Sequence, residues 1–133
     1  MRVEISRILL ERIMALAAGD VHEVCGLLLG SDDRIEAIAP AVNVAPDPAR
    51  HFELDPATLI AAHRAARSGG PKIIGHYHSH PSGIAAPSAT DAACAAPDGN
   101  LWLIVGAGDA TIWRAGPGTA VNVHFTKMHL DSR

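Results

Sequence analysis

The stretch GHYHSHPSGIAAPSATDAA, residues 75–93, sets His76, His78 and His80 on alternate positions and Asp91 eleven residues beyond the last of them. Imidazole nitrogens and carboxylate oxygens are the donors from which zinc sites are built, and a hydrolytic zinc takes three protein ligands while keeping a fourth position for water. Side chains two apart on a strand project to one face, roughly 7 Å apart, so an extended stretch lets His78 and His80 converge on one ion. Pro81 cannot continue a ladder, which predicts that the strand stops there and leaves the pair at its open end. Asp91, in the first turn of the helix expected next, is the nearest suitable carboxylate. An H-x-H pair alone is weak evidence for a metal.

The same residues carry plainer readings. Ser88-Ala89-Thr90-Asp91 spells S-x-x-D, a capping box in which Ser88 caps the helix and Asp91 reaches back to its amide. An Asp91 turned toward a metal is expected to forgo the box, although Ser88 could still cap. His76 shares the strand face of His78 but lies a step further into the sheet, and reads as a packed residue behind the pair. No spacing connects His22, His51, His63, His124 and His129, which read as surface or core. Glu23, just ahead of the apolar run VCGLLLG, is the candidate general base, because half-shielding at a strand entrance raises a carboxyl pKa toward working range. Taken alone it is an acidic residue in a turn. Ser79 points to the opposite sheet face and is given no catalytic role.

Several elements have to position these groups. SRILLERIMALAAGD predicts a helix from about Ser6 to Ala18, capped by Ser6 and closed by Gly19, with Ile8, Leu9, Ile13, Leu16 and Ala17 at helical spacing. VCGLLLG (24–30) reads as a strand covered on both faces, and RIEAIAPAVNV (34–44) as its hairpin partner. The three-proline segment 45–56 forms a loop, and Asp55-Pro56 opens a second helix running to about Arg67. KIIGHYHS (72–79) is the next strand and PSATDAACAA (87–96) the third helix. Strands over 100–108, 110–116 and 119–128 complete the chain. Strands and helices without regular alternation predict an α/β or α+β sheet domain with packed helices, one domain over residues 1–133.

Composition narrows the partners. The 133 residues are 48% hydrophobic and 19% charged, with a net charge of −3 and only 4% aromatic residues. No basic stripe or stacking platform is present, which argues against nucleic acid. Apolar runs are short and interrupted, arguing against a membrane span, and the N-terminus lacks the uninterrupted apolar core of a signal peptide. A cytoplasmic location is expected. Two cysteines, Cys25 and Cys94, cannot build a disulfide framework or a four-thiolate zinc site, and read as small buried apolar residues.

Together, HEVCGLLLG and the later GHYHSHPSGIAAPSATD resemble the JAMM/MPN+ metalloprotease family. Its signature is an upstream Glu, then H-[ST]-H-P, six residues, Ser, two residues and Asp. Glu23, His78-Ser79-His80-Pro81, SGIAAP, Ser88, AT and Asp91 match it in order and spacing. The likeness extends over residues 1 to about 115, through the FELDP loop and the strand order. It implies a twisted mixed β-sheet flanked by helices, related to the cytidine deaminase fold. It implies His78, His80 and Asp91 as Zn²⁺ ligands with water as the fourth, Glu23 as the general base acting on that water, and Ser88 as the donor to the oxyanion. Family members with the full motif hydrolyse the bond after the C-terminal Gly-Gly of ubiquitin or ubiquitin-like proteins. The short chain is similar to stand-alone prokaryotic members that act on sulfur-carrier proteins, so such a carrier is the expected substrate and partner. An extended Gly-Gly tail has no side chains and could thread a narrow groove by strand addition.

A catalytically silent MPN scaffold is the main rival, though such relatives usually lack a ligand. A deaminase-like hydrolase would be expected to use H-x-E…P-C-x-x-C, and no C-x-x-C is present. A nucleophilic Cys25 is a minor alternative. The substrate carrier, its pathway and a homodimeric state are left open by the sequence.

Overall fold

The computed structural model describes residues 1–118 and 123–133. Its elements run β1 (Arg2–Ile5), α1 (Arg7–Ala17), β2 (Cys25–Ser31), β3 (Arg34–Ala41), α2 (Pro56–Arg67), β4 (Lys72–Ser79), α3 (Ala89–Cys94), β5 (Leu101–Val105), β6 (Ala110–Pro117) and β7 (Val123–Ser132). The architecture is mixed α+β, but the sheet is not the plain twisted sheet expected. It closes into a barrel in the order β1-β3-β2-β4-β5-β6-β7.

The closing strand is RVEI, four residues that the sequence pattern left unassigned. It pairs in parallel with β7 from Arg2–His129 to Ile5–Ser132, and with β3 at Glu4–Arg34 and Ile5–Ile35. Val3 and Ile5 point inward and are buried while Arg2 and Glu4 face outward, the alternation of a half-buried strand. Four residues carry too short a pattern to declare themselves, and their partners lie at distant points of the chain. β7 also runs on to Ser132, beyond the expected end at 128; the start of that expected strand, 119–122, lies outside the described residues.

Ser6 caps α1, its side chain accepting from the Leu9 amide. Ile13 is fully buried, with Leu9, Leu10, Met14 and Ala17 packed on the same core. Ile8 and Leu16, expected on that face, are exposed, because the apolar stripe of the helix is centred on Ile13, with Leu16 at its margin and Ile8, five residues away, turned about 140° from it. Asp55 caps α2 through the Thr58 amide and hydroxyl, with Pro56 at the first helical position. α3 is shorter than the expected 87–96, ending at Cys94 before Pro97.

The strands that carry the site lie side by side. β2 and β4 are antiparallel, with Cys25 opposite His78 and Leu27 opposite His76. β5, buried throughout, runs parallel to β4 on its other side, with Ile104 beside His78. Gly26 is required here, since a β-carbon would overlap the buried Tyr77 ring across the strand pair. The expected two-sided burial of VCGLLLG is found in the consecutive buried residues Cys25, Gly26, Leu27 and Leu28.

Candidate metal centre

Four side chains meet where β4 ends. Glu23, His78, His80 and Asp91 are all buried, and one ligand atom from each falls within 4.8 Å of the others. The two-residue repeat of β4 puts His78 and His80 on one face, and the His80 amide extends the ladder by donating to Val105 O. Pro81 ends it. Asp91 comes from the first turn of α3, and Glu23 from the segment entering β2.

His78 Nε2 and His80 Nε2 stand 3.1 Å apart, and Asp91 Oδ2 lies 3.2 Å from the first and 2.9 Å from the second. Asp91 Oδ1 is also 3.2 Å from His78 Nε2. These contacts cannot all be ordinary hydrogen bonds. His80 Nδ1 lies 2.7 Å from the Ile84 carbonyl, which can only accept, so Nδ1 carries a proton and Nε2 is the nitrogen turned to the carboxylate. Two atoms bound tetrahedrally at ~2.0–2.1 Å from one zinc sit about 3.3–3.4 Å from each other, close to the spacing found here. A cation at the common point satisfies the three short contacts at once. The residues therefore fit a metal, and the His80–Ile84 bond fixes the tautomer that binding requires.

The capping box and the metal-facing carboxylate were expected to exclude each other, and they do not. The Ser88 amide donates to Asp91 Oδ2 at 2.9 Å and the Asp91 amide to Ser88 Oγ at 3.0 Å, while the same carboxylate faces both imidazoles. Two oxygens offer about four lone-pair directions, enough for a cap and a ligand together. The box in fact orients the carboxylate toward the two rings. Ser88 Oγ acts only as acceptor within the cap, so its own proton is free to point into the adjoining cavity.

Electrostatics follow burial. Burial would raise the Asp91 carboxyl, but hydrogen bonds from His78 and His80 outweigh it and hold the group far below the usual carboxylate range. Burial lowers His78. At His80 the same penalty is overcome by Asp91 and the Ile84 carbonyl, and its pKa rises. His76, expected to pack behind the pair, is pushed down to about 3 by burial and by His78, and stays neutral. Its ring stands edge-on to Trp102 at 4.3 Å, and Phe52 stacks on His78 at 4.3 Å and 20°. Phe52 and Trp102 went unnoticed in the sequence, where an aromatic in a loop and one in an apolar strand give no sign of meeting at a site.

Glu23 is only 4% exposed, and its Oε1 finds no hydrogen-bond partner in the protein. Burial pushes its pKa up to about 7, with His80 opposing and Asp91 assisting. The folded protein thus holds a proton at Glu23 that the unfolded chain releases between about pH 4.5 and pH 7. With fewer protons bound in the unfolded state, metal-free protein is expected to lose stability as pH rises through that window, and Glu23→Gln to remove this part of the loss. Melting temperatures of chelated wild type and variant from pH 4.5 to 8 check it; parallel curves would contradict it.

Among the described residues, three cavities border the cluster, one of about 780 Å³ touching it at His80 alone. A second of about 490 Å³ is bordered by Glu23, Arg50, His80, Ile84 and Ser88. The third, of about 500 Å³, reaches Asp91 from the side of Phe52, His76 and Trp102. Cys25 is buried, its thiol raised to about 11 mainly by burial, which is the opposite of what a nucleophilic cysteine needs. Cys94 is exposed, where a small buried residue was expected. No described helix is long and apolar enough to cross a membrane.

Residues 6–116 match the family model described as prokaryotic homologs of the JAB domain. The chain is 43% identical over 91 residues to a desampylase of Haloferax volcanii, covering 66% of each chain. It is 38% identical over 69 residues to a probable TtuB-protein conjugate cleaving protease of Thermus thermophilus, covering 52% of this chain and 46% of that one. The matches thus span less than two thirds of either relative. A solution structure of a Desulfitobacterium hafniense protein superposes with a TM-score of 0.78 at 26% identity, covering 100% of this chain and 94% of the other.

Proposed function

The chain belongs to the family of prokaryotic homologs of the JAB domain, and from that premise we propose that it is a cytoplasmic zinc-dependent isopeptidase. It hydrolyses the bond after the C-terminal Gly-Gly of a ubiquitin-like or sulfur-carrier protein, as one JAMM/MPN+ domain of deaminase-like fold over residues 1–133. The observation that carries this reading is the convergence of His78 Nε2, His80 Nε2 and Asp91 Oδ2 within 3.2 Å of one another, with His80 Nδ1 committed to the Ile84 carbonyl. A cation at their common point satisfies all three contacts, where a proton on His80 would serve only its bond to Asp91. The names of the two relatives support the substrate class.

His78, His80 and Asp91 would hold the metal, a nitrogen–nitrogen–oxygen set suited to tetrahedral Zn²⁺. Zinc, when bound, supplies a Lewis acid that brings the pKa of water from about 15.7 to about 7 and polarises the scissile carbonyl. Glu23 takes the proton of the attacking water at its unpartnered Oε1 and delivers it to the departing amine. Its raised pKa suits both transfers near neutrality. Ser88 donates its free hydroxyl proton to the developing oxyanion while its oxygen still caps α3. An oxyanion donor of this kind contributes roughly 10²–10³ in rate. Phe52 and Trp102 exclude water from the far side of the rings. Two free cysteines accord with a reducing compartment.

Small ubiquitin-like carriers bearing an extension or a lysine-linked partner after Gly-Gly, incubated with the zinc-loaded protein and followed by intact mass, test the proposal. Cleavage after the second glycine, lost on chelation and restored by zinc, is expected. A zinc-loaded protein that leaves every such conjugate intact would return the chain to the silent scaffold.

A further inference from the structure

Glu23 has no side-chain tether: with Oε1 unpartnered, its position is set by its backbone. That backbone is tied on both sides. The Val24 amide donates to Ser79 Oγ at 2.9 Å, and the Ser79 amide to Val24 O at 2.9 Å, locking the next residue to the strand that carries the histidines. On the other side stands Asn43, just past the end of β3. Its Nδ2 donates to Glu23 O at 2.8 Å and His51 O at 3.0 Å, and lies 3.3 Å from Pro48 O. Pro48 O in turn accepts from the Glu23 amide at 2.7 Å. Asn43 Oδ1 accepts from the Ala45 and Glu53 amides at 3.0 and 3.1 Å.

One half-buried amide thus hydrogen-bonds four backbone groups and lies against a fifth, Pro48 O. Two of them, His51 O and the Glu53 amide, flank Phe52, the ring stacked on His78. We propose that Asn43 is a positioning residue for hydrolysis, holding Glu23 and Phe52 in register around the metal ligands. This inference rests on the reading of Glu23 as the base. Asparagine alone among small side chains supplies both the donors that the Glu23 and His51 carbonyls need and the acceptor that the two amides need. A 1 Å misplacement of a reacting group can cost about 10²-fold in rate, and among the described residues Glu23 is held on the loop side by Asn43 and by Pro48 O, which itself lies against the Asn43 amide.

Amide hydrogen exchange by NMR, metal content and steady-state kinetics of Asn43→Ala decide it. The Glu23 amide, which Asn43 does not touch, is expected to exchange at least ~10-fold faster, with the Leu28 and Leu103 amides unchanged. Metal content stays at wild-type level, kcat falls ~10–10²-fold and KM moves little. In a Glu23→Gln background the same substitution should lower kcat further by less than about threefold. Asn43→Asp keeps the acceptor contacts and loses the donors, and is expected to reproduce the fast exchange at Glu23 if Asn43→Ala is too unstable to study. An unchanged Glu23 amide, a uniform rise in exchange across the core, or a full additive loss in the double variant would overturn the proposal. Wild-type protein that cleaves no Gly-Gly conjugate overturns the proposed function instead, and the exchange measurement then decides this inference alone.

Discussion

His80→Ala is expected to lose metal and turnover together while the protein stays folded. His80 supplies one of the three convergent donors, 2.9 Å from Asp91 Oδ2 and 3.1 Å from His78 Nε2. Without it, His78 and Asp91 remain, a two-point site for an ion that takes three protein ligands in hydrolytic centres. Removing an outer partner of a metal ligand already costs about 10–100-fold in affinity; removing the ligand itself should take metal content from one equivalent to below ~0.1 after dialysis, and turnover down by at least ~10³. The structural cost is small. His80 lies past the end of β4, and its backbone bond to Val105 O survives the substitution. The lost contact to Ile84 O leaves a carbonyl that water can reach, worth about 1 kcal/mol. Metal analysis, intact-mass cleavage assays and thermal melts of the chelated proteins read the three quantities. A variant that keeps a full equivalent of metal would remove His80 from the ligand set.

Asp91→Asn separates ligand from cap. An asparagine oxygen can still accept from the Ser88 amide, so α3 keeps its box, whereas the carboxylate that pairs the two imidazoles is gone. Loss of metal with an unchanged melt is the expected pair of results.

What could be read from the sequence was what local periodicity dictates. A two-residue repeat fixes His78 and His80 on one face wherever β4 forms, a proline fixes where it ends, and S-x-x-D fixes the start of α3. Those rules place three donors without knowledge of the rest of the chain. The barrel is different in kind, because its closure depends on four residues near the N-terminus pairing with strands that begin at Arg34 and Val123. No window of sequence contains that information. Asn43 and Phe52 are hidden for a related reason: they sit in or beside an irregular loop whose path is set by its own hydrogen bonds. The one available sign was an asparagine opening a proline-rich turn, a residue type that binds nearby backbone. The supposed conflict at Asp91 came from counting one role per side chain, when a carboxylate has acceptor directions for two.

Glu23→Gln should leave the metal in place and remove most of the turnover. Glutamine matches glutamate in shape, and Glu23 makes no side-chain hydrogen bond at Oε1 that the amide would break. His78, His80 and Asp91 are untouched, so one equivalent of metal is expected to remain. What disappears is a group that can hold a proton: the carboxyl sits near pKa 7 because burial destabilises its anion, and an amide does not titrate. General base catalysis of this kind contributes about 10²–10⁴ in rate, and kcat should fall by that factor with KM little altered, since the lost interaction is made to the reacting atoms. Glu23→Asp keeps the basicity but withdraws it by a methylene, and should fall between the two. Metal analysis beside the kinetics separates the outcomes, because one Glu23 oxygen lies within 4.8 Å of donor atoms of His78, His80 and Asp91 and could instead complete the coordination. Loss of metal in Glu23→Gln would make it a fourth ligand, and full activity would strip it of any part in the chemistry.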